Sequence, residues 1–292
     1  MKKIFITLTI LFPLLITQAS ASKFKYQLGS IVENEVVFGK KDKFPLPPGK
    51  FTVAVTHRKN EFKDIMLYQV DGNNTLVWAI QLYATGHTEW QWWNPPKFCE
   101  RTNVYFIKTK IGNKKYACWM VNHSRSDIGA NKGFWKKVRE YEIASNVNMP
   151  DILVYSKWEY SKGSKVWGAS YYYNPEQDGI PKPKNLEWDS NEFHIQKIKN
   201  NPKHEDFLKK FVSISASLVD QLNKNLKVKG GLTLNPQENF SQATIKVQKN
   251  EVKKSSDTNT NIVEEIKNLK ELLDAGALTK EEFEKAKNKL LN

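Results

Sequence analysis

The chain has 292 residues, 40% of them hydrophobic and 12% aromatic, with nine Trp, so it can bury a substantial core and is not a disordered or low-complexity polymer. Its formal net charge is +14, yet Arg stands only at 58, 101, 125 and 139. Scarcity of the guanidinium fork weighs against readout of nucleic acid, and the excess of Lys points instead to diffuse attraction toward an anionic envelope polymer or membrane surface.

Lys2 and Lys3 precede an apolar run from Ile4 to Ile16, and Ala19-Ser20-Ala21 follows. A short basic head, an apolar stretch too brief to span a bilayer and small residues before the cut predict a secretory signal over 1–21, cleaved after Ala21. No Cys follows it for lipid attachment. The expected location is periplasmic or secreted. Without Lys2 and Lys3 the chain keeps 43 basic against 31 acidic residues.

The region 22–231 reads as an α+β domain in which antiparallel β-hairpins pack with helices. One strand is expected around Ile31 to Phe38. Phe44-Pro45-Leu46-Pro47-Pro48-Gly49 is a rigid lead-in. Alternation of Phe51, Val53 and Val55 with Thr52, Ala54 and Thr56 predicts a half-buried strand. Asp64 to Val70 and Leu76 to Ala84 flank Asp71-Gly72-Asn73-Asn74, a hairpin signal. On its second strand Leu76, Trp78, Ile80 and Leu82 are expected on one face.

A second hairpin pairs Val104–Ile107 with Tyr116–Val121 around Ile111-Gly112-Asn113-Lys114. Cys99 and Cys118, the two cysteines of the chain, belong to it. In an oxidising compartment such a pair is expected to bond, and to staple the hairpin to the preceding loop in the middle of the core, contributing about 3 kcal/mol in the entropic picture. No Cys-x-x-Cys suggests redox work. Phe134, Val138 and Tyr141 recur at helical spacing within 131–147. A third hairpin joins Ile152–Tyr160 to Lys165–Tyr173 across Ser161-Lys162-Gly163-Ser164. A short helix is expected from Asp189 or Ser190 toward Asn200. A longer one, over about 203–227, puts Phe207, Phe211, Ile214, Leu218 and Leu222 on one stripe. Gly230-Gly231 closes the domain, and the polar stretch 232–260 reads as a flexible linker.

Residues 261–292 pattern as a helical hairpin. Ile262, Ile266, Leu269, Leu272 and Leu273 mark one apolar stripe, and Gly276 suits the left-handed position that ends a helix. Thr279 with Glu282 forms a capping box, staple positions fall on Leu278 and Phe283, and Leu290 continues the second stripe. The run from Leu269 to Leu291, with Asp274-Ala275-Gly276, Leu278-Thr279-Lys280-Glu281-Glu282-Phe283 and Lys287-Asn288-Lys289-Leu290-Leu291 in order, resembles a SHOCT module, the short C-terminal domain of many bacterial proteins. The resemblance implies oligomerisation or another contact rather than catalysis. Physics points the same way. Two short helices bury too little surface to stand alone, so Leu269, Leu272, Leu273, Leu278, Phe283 and Leu290 must meet each other and a further surface, in self-association or with another protein.

Chemistry-bearing constellations are sparse. His87 and Glu89 on one strand face, with His123, offer a zinc or acid–base site, and a cell-envelope hydrolase or metal-dependent enzyme is the alternative function they support. Their spacing matches no diagnostic ligand motif, and no nucleophile elbow or phosphate loop accompanies them. No cofactor is implied. Trp90, Trp92 and Trp93 crowd one loop, and Tyr172 sits in Tyr171-Tyr172-Tyr173. Adjacent aromatics on a strand point to opposite faces. Either both sheet faces are covered, or some of these rings border a groove for a sugar, a peptide or a membrane interface.

Overall fold

The computed structural model describes residues 25–59, 62–85, 96–113, 115–127, 133–229 and 231–232, together with Lys270, Phe283, Glu284, Lys287 and Asn288. The expected signal segment, His87, Glu89, Trp90, Trp92, Trp93, all but Leu232 of the linker, and Leu269, Leu272, Leu273, Leu278 and Leu290 lie outside these residues. Contacts divide the chain into two units, Met1–Phe240 and Ser241–Asn292.

The first unit is an α+β body built on a large antiparallel sheet. Its strands in chain order are β1 (Ile31–Val32), β2 (Glu35–Phe38), β3 (Asp42–Pro45), β4 (Phe51–Lys59), β5 (Phe62–Val70), β6 (Leu76–Ala84), β7 (Phe106–Gly112), β8 (Lys115–Arg125), β9 (Ile152–Lys162) and β10 (Lys165–Tyr173). Two α-helices, α1 (Gly133–Ala144) and α2 (Pro202–Asn225), complete the described elements with four short 3-10 turns. Eight strands form one sheet in the order β1-β4-β5-β6-β10-β9-β8-β7, while β2 and β3 pair separately. Two meanders, β4-β5-β6 and β7-β8-β9-β10, meet where β6 pairs antiparallel with β10, Gln81 opposite Ser170.

Period-2 alternation sends successive side chains to opposite faces, and both faces are covered. One face carries Val53, Ile65, Leu67, Trp78, Ile80, Leu82, Trp119, Val154, Trp158, Ala169 and Tyr171, the main core. The β2–β3 hairpin lies on it through Phe38 and Phe44, whose rings are 5.1 Å apart, and the Tyr171 hydroxyl donates to the Pro45 carbonyl at 2.9 Å. α2 packs beside it, with Phe211 stacked on Trp78 and Tyr173, and Ile180, Phe193 and Ile198 from the segment between β10 and α2 join the same core. The α2 start follows from its sequence. The Asn201 side chain accepts from the His204 amide, Pro202 occupies the first turn where its missing N–H costs nothing, and Glu205 suits the positive helix end.

The opposite face is capped at one end by α1, through Phe134, Trp135, Val138 and Tyr141. α1 stops where Asn146 turns left-handed (φ 49°), with the Val147 amide returning to the Glu142 carbonyl.

The hairpins over 62–84 and 152–173 form with the expected turns. Several details differ from the sequence pattern. Asn34 adopts φ 64° and splits the strand expected over 31–38 into β1 and β2. A register shift at Gln69/Val70 moves Leu76 to the α1 face, away from Trp78, Ile80 and Leu82. The helix expected from Asp189 toward Asn200 is two 3-10 turns, Trp188–Ser190 and Ile198–Asn200. On α2, Ile214 is 49% exposed; Leu208, Val212, Ala216 and Val219 widen the buried stripe instead. Just past Gly231, Asn223 Nδ2 donates to the carbonyl of buried Leu232 at 2.9 Å.

Cys99 and Cys118 are disulfide-bonded, with Cα atoms 5.7 Å apart. The staple is not in the middle of the core. Cys118 lies on the strand next to the sheet edge, on the α1 face, in a small cluster with Tyr116 and Phe98. Among the described residues no helix is long and apolar enough to cross a membrane. In the second unit, Lys270, Phe283, Glu284, Lys287 and Asn288 are helical, and Lys287 pairs with Glu284 at 3.5 Å.

Candidate functional site

The α1 face is where the sheet departs from simple apolar packing. Strand register aligns one row across five strands: Asp64 on β5, Tyr83 on β6, Gly168 on β10, Glu159 on β9 and Cys118 on β8. Gly168 makes the row work. A Cβ there would lie 2.0 Å from Tyr83 Cζ, so the missing side chain is the space in which the Tyr83 ring lies. Tyr83 thereby reaches across β10 and donates its hydroxyl to one oxygen of Glu159, and Tyr116 donates to the other. Burial, then the adjacent Glu159 charge, pushes both phenols up, so they remain donors.

Asp64 is 3% exposed, and Gln81 Nε2 is 3.3 and 3.2 Å from its two oxygens. Burial outweighs that hydrogen bond and pushes the carboxyl up to about 7, so it is protonated over most of the acid range. Lys157, two residues before Glu159, sits 4.2 Å over the Phe98 ring. Burial lowers its pKa, against the pull of Glu159.

Under α1 the same face opens into a crevice of about 100 Å³. Its floor is Met66, Ala79, Leu153 and Tyr172, and Trp135, Glu142 and Met149 wall it. Trp135 and Tyr172 stand edge to face, 6.5 Å apart at 89°. Glu142, 7% exposed, accepts from the Tyr68 hydroxyl at one oxygen and from Arg139 Nη1 at the other, at 3.0 Å. At the rim Arg125 donates from Nε to Asp127 at 2.9 Å and from Nη2 to its second oxygen. The Ser124 and Ser126 hydroxyls donate to the carbonyls of Arg125 and Pro150. The arrangement can hold a compact apolar group beneath a polar rim.

Of the aromatics singled out by sequence, Tyr172 is in this crevice, while Tyr171 and Tyr173 face the main core. His123 lies on that core face, 2% exposed. Tyr105 donates its hydroxyl to the Phe193 carbonyl, so its oxygen accepts from His123 Nδ1 at 2.5 Å. Trp188 stacks on the imidazole at 4.2 Å. Burial, then His194, pushes His123 down to about 3, which keeps the ring neutral. Among the described residues no three His, Cys, Asp or Glu side chains are placed to hold a metal ion.

Sequence alone did not single out Asp64, Glu159, Tyr83, Glu142 or Arg125. The available signal was two carboxylates, Asp64 and Glu159, at inward positions of alternating strands.

Residues 264–291 match the SHOCT family, the Short C-terminal domain, and no other family is recognised in the body. No curated protein and no solved structure matches the chain.

Proposed function

We propose that this is an exported, non-enzymatic protein that binds and assembles. Its body is a stapled sheet with a small ligand crevice, and its C-terminal segment joins it to a second copy or to another protein at the cell envelope. The observation that carries the assembly role is the Short C-terminal domain match at 264–291, on a segment whose apolar stripes need a partner surface. Export is supported by the basic-then-apolar start of the sequence and by the bonded Cys99–Cys118 pair. The charge of +14 favours an anionic envelope surface as a further partner.

The test is light scattering of the full chain over a concentration series, beside full chains carrying Leu272→Asp and Phe283→Asp. A charge placed on either stripe is expected to lower the mass per particle toward one chain, or to abolish capture of a defined envelope partner. Identical masses in all three chains, with identical partner capture, refute association through this segment.

A further inference from the structure

Three of the buried polar groups are histidines, His123, His194 and His204, and all lie in or against the segment 187–200 between β10 and α2. We propose that this segment is an acid-released flap. Near neutral pH it closes over the uncharged imidazole of His123, and in acid it opens because the closed site has no acceptor for a second imidazole proton. Opening uncovers an aromatic surface of Tyr105, His123 and Phe193 at the end of the main core. The flap goes beyond the binding and assembly role and does not rest on it.

Attachment comes first. Among the described residues the backbone–backbone hydrogen bonds of 187–200 stay within 187–201, as from the His194 amide to the Asn191 carbonyl and from the Lys197 amide to the His194 carbonyl. The segment is joined to the rest of the body through side chains. Phe193 and Ile198 anchor it in the main core. Trp188 lies flat on His123, 4.2 Å away at 9°, and Tyr105 donates to the Phe193 carbonyl. Phe193 meets His204 of α2 edge to face at 4.7 Å. The segment can therefore open without unpairing a strand.

Protonation decides when. The Nδ1 hydrogen of His123 goes to the Tyr105 oxygen, so a second proton must sit on Nε2, which is buried and has no partner among the described residues. Both ring nitrogens of His204 are likewise buried and unpartnered. A buried N–H without an acceptor is costly, and burial holds His123 at about 3 and His204 below its ordinary value. The charged neighbours do not compensate. Along β8, Arg125 is forked on Asp127, with Glu187 acting on it, and the residue opposite His123 on β9 is Val154. In the segment, Asp189 lies 3.9 Å from His194 Nε2, and His194 itself disfavours charge on His123. Glu192 favours charge on His204 and Lys203 opposes it, but burial is the larger effect. Once the segment is open, the rings titrate in water near 6.5, so each takes up a proton that the closed form refuses.

The test is hydrogen–deuterium exchange of the full-length protein between pH 7.5 and 4.5, each rate divided by that of an open chain at the same pH. Amides of 187–200 are compared with those of β9, which report opening of the sheet. Opening of the segment is expected to rise about a hundredfold over this range from His123 alone. The rise in β9, whose opening in acid is opposed by Asp64, should be at least about tenfold smaller. His123→Phe keeps a flat ring under Trp188 but takes no proton, and should lose that hundredfold. NMR of 15N-labelled histidine reads the closed state directly. While the segment stays protected, His123 should carry a proton on Nδ1 alone. An equal rise in β9 makes the event global unfolding and overturns the flap. Opening independent of pH, a slope kept in full by His123→Phe, or an imidazolium at His123 under a protected segment overturns the role of His123.

Discussion

Asp64→Asn perturbs a buried carboxyl that has Gln81, a neutral amide, as its side-chain partner. In the folded protein Asp64 titrates near 7, against 3.8 when unfolded. Between those values the native state holds a proton that the unfolded chain has released. Stability from this group is therefore fully present below 3.8 and is lost as pH rises toward 7, by about 1.4 kcal/mol per pH unit. His123 acts in the opposite sense. Its folded value is about 3 against 6.5 unfolded, so below 6.5 the unfolded chain binds a proton that the native state refuses, and stability is lost as pH falls. The two slopes oppose each other between 3.8 and 6.5, and wild-type stability is expected to be nearly flat there as far as these groups contribute. Asp64→Asn removes one slope. The variant should gain on wild type by about 3 kcal/mol between pH 4.5 and 6.5, and the gain should level off above 7. Equilibrium urea denaturation followed by Trp fluorescence, with the disulfide intact, measures the difference at each pH. A difference that does not change with pH would mean that Asp64 has the same proton affinity folded and unfolded, and the account of this face would be wrong.

Four further outcomes are expected. Gly168→Ala should cost about 3 kcal/mol, because the new methyl displaces the Tyr83 ring. Tyr83→Phe should cost about 2 kcal/mol by leaving Glu159 a donor short, and the double variant should cost less than the sum; additive costs in urea denaturation would separate the two residues. Reduction of Cys99–Cys118, or Cys118→Ser, should lower stability by about 3 kcal/mol and raise amide exchange first in β7, the edge strand; unchanged exchange there counts against the staple. When the full gene product is made in a bacterial host, mass spectrometry of the extracytoplasmic fraction should find a chain starting at Ser22; a cytoplasmic chain retaining Lys2 and Lys3 refutes export.

Hairpins were legible because their signals are local. Asp71-Gly72-Asn73-Asn74 and Lys162-Gly163 lie between strands whose alternation survives in the structure. Where the sequence misled, a single backbone event intervened. Asn34 turned left-handed and cut a strand in two, and the irregularity at Gln69/Val70 moved Leu76 to the other face. Tyr172 stood out in the sequence, but Met66, Trp135 and Met149 reach it from β5, from α1 and from the loop after α1. The row from Asp64 to Cys118 depends on β6 pairing with β10, a contact between residues more than eighty positions apart. No pattern within either strand encodes that register, so Glu159 could not be matched with Tyr83 beforehand.

Hydrogen–deuterium exchange over residues 264–291 of the full-length protein, across a wide range of concentrations and with its envelope present, tests the assembly role most directly. Protection that rises with concentration or on adding envelope is the predicted result. Amides that exchange at the rate of an open chain under every condition would contradict it.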